Sequence, residues 1–290
     1  MHYWQLDVFA EQPLTGNGLA VFPDARTLSA TAMQRLTQEL RQFESIFLLP
    51  GHGTGQFEAR IFTAEEELPF AGHPIIGAAA LLHHLHAPAE LAELAEWTLQ
   101  LSAKSVHVTT RRHGPGFYAE MDQGQAEFGQ RLDTAAARTV ADAFGLADDQ
   151  LDLRYPPTVV STGLPYLLLP VTAAGLARAK QRRLLDPELR ACGAAFVFLL
   201  DVDNREGRTW DPAGVIEDVA TGSAAGPVAA YLVEQGLHAR GEAFRLNQGR
   251  FLHRPSTLEV CVGVEGRVRV GGHVQLLARA ELLVAPTALG

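Results

Sequence analysis

Cysteine is nearly missing from this chain: 290 residues hold two, Cys192 and Cys261, and neither belongs to a CxxC or Cys/His ligand pattern. That excludes a disulfide framework and a zinc-finger type of site. Two buried, reduced thiols are expected instead, and with them a cytoplasmic protein. Basic residues are also in deficit, 24 Lys and Arg against 33 Asp and Glu, for a net charge of −9. The densest basic cluster, 180–183, sits on an expected helix and reads as a solvated face. No nucleic-acid partner is expected. The longest apolar stretch, 164–177, is broken by Pro165 and Pro170 and is too short to cross a bilayer. The first residues, MHYWQLDVF, follow a strand pattern rather than that of a leader, so no membrane association is expected. Nucleotide loops are absent too. No GxGxxG opens a helix after a strand, and no GK[ST] follows TGSAAG. His83, His84 and His86 crowd one helix end without an HExxH-type pattern. Neither a metal nor an organic cofactor is expected.

What is present is an ordinary globular composition, 47% apolar, enough to bury a core. The length suggests one large domain or two smaller ones. Short strands are read at 3–9, 18–22, 43–49, 57–63, 97–101, 106–110 and 117–121. Helices are read at 29–42, with Ser29 as N-cap, and from about 75 to 85, with Pro74 in its first position. The polar stretch 122–131, with Gly124 and Gly129, is the best linker candidate. Beyond it come a helix at 134–144 and strands at 158–161, 166–171 and 195–202. A strand-turn-helix unit, DVATGSAAGPVAAYLVEQG, follows, and the tail reads as strands at 251–253, 257–264, 268–270 and 274–278. The order of elements disfavours a doubly wound parallel sheet.

One internal correspondence organises the search for chemistry. AGHPIIGAAALL from Ala71 matches TGSAAGPVAAYL from Thr221, aligning Gly72 with Gly222 and His73 with Ser223. Each is a glycine turn feeding an apolar helix, and related halves explain both. The first amides of such helices lack internal partners and sit at the positive end of the dipole, which suits a carboxylate or a developing enolate oxygen. Many helices begin with Gly-Ser or Gly-His and bind nothing; two related turns carrying different polar residues favour function. Glu44 lies in the apolar run FESIF. Alternation puts it with Ile46, opposite Phe43 and Ser45, which points to burial and to a carboxyl usable as acid or base near neutrality. A surface glutamate is the commoner outcome of such a position taken alone. Asp218 precedes the second turn, either as a turn residue or as a group that holds substrate or His73 in its protonation state.

TGNGLAVF, ELPFAGHPIIGAAALL, STGLP, EDVATGSAAGPVAAYLV and QGRFLHRPS together resemble the successive blocks of the PhzF-like (phenazine-biosynthesis) family, in the family's order over nearly the whole chain. The resemblance implies an α+β fold similar to diaminopimelate epimerase. It has two pseudo-symmetric lobes, each a curved, mostly antiparallel sheet around a central helix, here 1–124 and 125–290. It further implies an active site between the lobes, with Gly72 and Gly222 among the substrate-binding residues, and a homodimer. The acid/base glutamate of the family falls on Glu44, its site histidine on His73, and its aspartate and serine on Asp218 and Ser223. The founding enzyme isomerises trans-2,3-dihydro-3-hydroxyanthranilate. Related epimerases use two cysteines where this chain has His73 and Ser223, which argues against two-thiol racemisation. GNG stands for the usual GNP at Gly18, Phe43-Glu44-Ser45 for Ser-Glu-Thr, Ile75 for threonine, Val219 for proline and His253 for glycine. None of these removes a catalytic side chain, and positions 43, 45 and 75 bear on substrate identity. The expected activity is a cofactor-independent isomerase that shifts a proton between carbons of a small anionic, carboxylate-bearing substrate. The alternatives are a single-carbon epimerase and a non-catalytic small-molecule binder on the same scaffold.

Overall fold

The computed structural model describes residues 1–87, 93–211 and 214–284. It is a mixed α+β structure, mostly strand, and its chain forms two compact units. The first is Met1–Asp122 together with 271–284; the second is Gln123–Val270.

The first unit contains β1 (His2–Val8), β2 (Asn17–Phe22), α1 (Ala30–Leu40), β3 (Glu44–Pro50), β4 (Gln56–Phe62), β5 (Glu67–Leu68), α2 (Gly72–His86), β6 (Leu94–Gln100), β7 (Ser105–His113) and most of β8 (Gly116–Gln125). Its strand order is β1-β2-β3-β4-β6-β7-β8, next to β8 comes a strand from 267–281, and that strand pairs in turn with β1, so the sheet closes on itself. The β2–β3 and β4–β6 pairs are parallel, whereas β1–β2, β3–β4, β6–β7 and β7–β8 are antiparallel. Helix α2 packs against β1, β2, β3, β6 and β7 and is buried from Gly72 to His83. Its residues explain this: an all-apolar helix has to be covered on every side. Small residues let the strands come close, and a Cβ on Gly77 would collide with Leu19 and Val8. Helix α1 is amphipathic instead. Ser29 caps it by accepting from the Ala32 amide at 3.1 Å, and its Ala32, Met33 and Leu36 cover the stacked Phe22 and Phe47.

The second unit contains β9 (Glu127–Arg131), α3 (Thr134–Ala143), β10 (Thr158–Ser161), β11 (Pro165–Pro170), α4 (Ala173–Arg178), α5 (Asp186–Cys192), β12 (Phe196–Asp201), β13 (Glu206–Thr209), α6 (Gly222–Glu234), β14 (Ala243–Gln248), β15 (Ser256–Val262) and the start of β16 (Arg267–Glu281). Its strand order is β16-β15-β14-β13-β12-β11-β10-β9, with β11–β12 and β13–β14 parallel. Helix α6 packs on β15, β10 and β11. Helices α3, α4 and α5 enclose a second core with Val140, Phe144, Leu167, Leu169 and Leu199.

Several elements differ from the sequence reading, each for a physical reason. Helix α2 starts at Gly72, not near 75, because a proline within the first turn forfeits no helical hydrogen bond. The stretch 122–131 is not a linker but the end of β8 and the whole of β9, an exposed strand at the end of the sheet order, which is why it is polar. The expected strand at 251–253 is a 3-10 turn, Arg250–Leu252. The two strands expected at 268–270 and 274–278 are one, β16. The tail from 271 belongs with the first unit, where it completes the sheet beside β1. The cluster 180–183 lies between α4 and α5 rather than on a helix, and Arg183 bonds to Glu188 and to the Thr139 carbonyl. Among the described residues no helix is long and apolar enough to cross a membrane.

Candidate functional site

In the first unit, β3 begins at Glu44, in register with Leu19 of β2. Residues 44–48 are buried throughout, so alternation within the strand does not separate a solvent face from a core face. His73 is the second residue of α2, and its Nδ1 lies 3.2 Å from Glu44 Oε2 and 3.4 Å from Asn17 Nδ2. Both side chains of the close pair are over nine-tenths buried. Burial pushes the imidazole pKa down to about 3, against a smaller opposing effect of a hydrogen bond with the Gly18 backbone. The ring is therefore neutral near pH 7, and its contact with Glu44 is not an ion pair. A hydrogen bond that raises a histidine's pKa is one the ring donates. Nε2 has no partner among the described residues, so the donor is Nδ1–H and Nε2 carries a bare lone pair. No side chain caps the amides that open α2 at Gly72.

In the second unit, the polar groups before and at the start of α6 are bonded to one another. Asp218 is anchored through its amide to the Thr209 carbonyl at 3.0 Å, and its Oδ2 accepts from Thr221 Oγ1 at 2.6 Å. Gln248 binds this turn three times: its Oε1 accepts from the Thr221 amide, and its Nε2 donates to Thr221 Oγ1 and to the Asp218 carbonyl. Gly249, at φ 81°, turns the chain after Gln248 where a Cβ would strike the Arg254 and Val219 carbonyls. Ser223, the second residue of α6, meets the Tyr166 hydroxyl at 2.7 Å. Gln123 donates to the Gly222 carbonyl at 2.8 Å and accepts from Thr162 Oγ1 at 2.8 Å. Pro227 inside α6 withholds the amide that would otherwise bond to the Ser223 carbonyl.

The residues singled out in the sequence thus fall into two groups. Glu44, His73 and Gly72 meet in the first unit; Asp218, Ser223 and Gly222 gather at the start of α6 in the second. All four side chains are buried. Asn17, Tyr166, Thr221 and Gln248 were missed, although Asn17, Thr221 and Gln248 stand inside motif blocks and Tyr166 directly follows STGLP. The available signal was a polar side chain within an otherwise apolar or glycine-rich motif. Gln123 was hidden in the supposed linker. Among the described residues no group of three or more His, Cys, Asp or Glu side chains is placed to hold a metal. Cys192 ends α5 and Cys261 lies in β15, so neither thiol occupies the start of α2 or α6.

Residues 6–279 match the family model of phenazine biosynthesis-like proteins. The chain belongs to this family, and it is an isomerase. It is 34% identical to the trans-2,3-dihydro-3-hydroxyanthranilate isomerase of Pseudomonas chlororaphis over 97% of its own length and 94% of the relative's. A solved structure described as a predicted epimerase from Pseudomonas aeruginosa shares 66% identity with a TM-score of 0.94, covering 98% of this chain and 99% of that one. A hydroxyproline epimerase from Agrobacterium vitis, at 12% identity and a TM-score of 0.62 over 100% of this chain and 94% of its own, shares the fold.

Proposed function

We propose that this family member is a cofactor-independent isomerase in which Glu44 moves a proton between two carbons of a small carboxylate-bearing substrate. The observation that carries the reading is the Glu44–His73 pair, a buried carboxyl 3.2 Å from an imidazole that burial keeps neutral. A cationic histidine would hold the carboxylate in an ion pair and blunt its basicity; a neutral one leaves it able to take a proton from carbon. Abstraction leaves the electron pair delocalised into the substrate carboxylate as an enolate-like anion. Return of a proton from the Glu44 carboxyl, which exchanges with solvent, to another carbon completes the shift and restores Glu44. In this reading Gly72, Gly222, Asp218 and Ser223 bind substrate, and uncapped helix starts offset the anion. The reading also includes lobes of common descent and a homodimer.

Trans-2,3-dihydro-3-hydroxyanthranilate, named by the relative, is the first substrate to assay. Glu44→Gln keeps the shape but cannot accept the proton. Turnover is expected to fall by about 10²–10⁴-fold with binding retained, and wild-type product formed in deuterated water is expected to carry deuterium at the carbon that receives the proton. A Glu44→Gln protein that turns over at near wild-type rate overturns the mechanism.

A single-carbon epimerase is the second reading, favoured by the 66%-identical structure described as a predicted epimerase. It predicts deuterium at one carbon with inversion there and no migration of a double bond.

A further inference from the structure

Tyr166 is one of the most deeply placed hydroxyls in the second unit, only 3% exposed. Its ring stacks on Phe196, centroids 5.1 Å apart at 23°, and the two residues are register partners in β11 and β12. The hydroxyl therefore has little freedom, and it lies 2.7 Å from Ser223 Oγ. We propose that Tyr166 is a positioning residue for Ser223: it donates to the serine oxygen and so commits the serine's own hydrogen to an anionic oxygen of the substrate. The inference rests on Ser223 being a substrate contact, as in the reading above.

The direction of the bond follows from chemistry. A phenol is a stronger acid than an aliphatic alcohol and hence the better donor, and the alcohol oxygen is the better acceptor. Once Ser223 accepts, its hydrogen needs another acceptor, and among the described residues Ser223 Oγ has no second hydrogen-bond partner. The neighbouring groups give that hydrogen company. Ser223 stands in the first turn of a 13-residue helix that no side chain caps, where backbone amides favour negative charge. The helix start is also held still, because Gln123 binds the Gly222 carbonyl and is itself bound by Thr162. An acceptor with negative charge, a carboxylate oxygen or the oxygen of an enolate, completes this arrangement.

The test is a double-mutant cycle. Tyr166→Phe keeps the ring stacked on Phe196 and removes only the hydroxyl; Ser223→Ala removes its partner. Binding of 3-hydroxyanthranilate, a planar carboxylate of the same skeleton, is read by calorimetry. Each single change is expected to weaken it about five- to tenfold, and the double change no more than Ser223→Ala alone. Ser223→Thr, which keeps a hydroxyl, is expected to restore the dependence on Tyr166. In turnover, KM is expected to rise while kcat and its pH profile stay in place. Additive effects overturn the proposal. So does a Tyr166→Phe affinity within twofold of wild type, or a wild type that fails to bind the carboxylate at millimolar concentration. A protein that binds the carboxylate but does not isomerise removes the Glu44 mechanism while leaving the cycle readable.

Discussion

At the start of α2, His73 keeps one ring nitrogen with no partner, and the turn before it is closed by no side chain. At the start of α6 the corresponding turn is tied down, with Thr221, Gln248 and Asp218 bonded together and Ser223 bonded to Tyr166. The two sequences, AGHP and TGSA, are near twins in pattern, and the difference lies in what the surrounding strands bring to them. A buried polar atom left without a partner costs about 1–3 kcal/mol. The first turn leaves a ring nitrogen with no hydrogen bond at all among the described residues, whereas every polar side chain of the second has at least one, so the first is held loosely and the second is fixed in place.

The largest expected break in this comparison comes from the glycine one turn inside each helix. Ala at Gly226 would place its Cβ against the Gln123 amide, which is held at both ends, so the Gly222 anchor is lost. Chemical denaturation of Gly226→Ala is expected to show a loss of about 2–3 kcal/mol. Gly77→Ala meets only the ends of Leu19 and Val8, which can shift, and about 1 kcal/mol or less is expected after the gain in helix propensity. Equal losses at the two sites would erase the distinction between a tied and an untied helix start.

The next effect belongs to the first turn alone. His73 has a folded-state pKa of about 3 against an ordinary value of 6.5, so the unfolded chain takes up a proton first as pH falls. The stabilisation is complete above pH 6.5 and is lost progressively toward pH 3, at up to about 1.4 kcal/mol per pH unit. Urea unfolding between pH 7 and 4.5 is expected to show this slope in wild type and Ser223→Ala, and a shallower one in His73→Gln. An unchanged slope in His73→Gln would remove the neutral imidazole from the account. A smaller effect than that of Gly226→Ala is that of Thr221→Val, which keeps the shape but deletes the donor to Asp218 and the acceptor for Gln248. About 1–2 kcal/mol is expected, together with weaker binding of a carboxylate.

Much of this was legible in the sequence because it rests on local rules. The apolar helices behind Gly72 and Gly222, the Ser29 cap and the strand character of 44–49 all follow from nearby residues. The pairing of Glu44 with His73 was reached only through resemblance; 29 residues separate them, and no local pattern states that β3 and α2 meet. The partners of Gln248 and Tyr166 were illegible for the same reason, since they lie 27 and 57 residues away. The polar run 122–131 misled because an exposed edge strand has the composition of a loop. Glu44 is buried as read, but β3 is buried on both faces, so its burial does not depend on the alternation used to reach it.

Strand β16 has a consequence for how the chain comes into being on a ribosome. The second unit is encoded without interruption by Gln123–Val270, so all of it can emerge and fold while the chain is still growing. The unit that carries Glu44 and His73 cannot: β1, among the earliest segments to emerge, waits for a partner synthesised some 270 residues later, with Val8 opposite Val274. The half made first is thus finished last, when everything around Asp218 and Ser223 has already been synthesised.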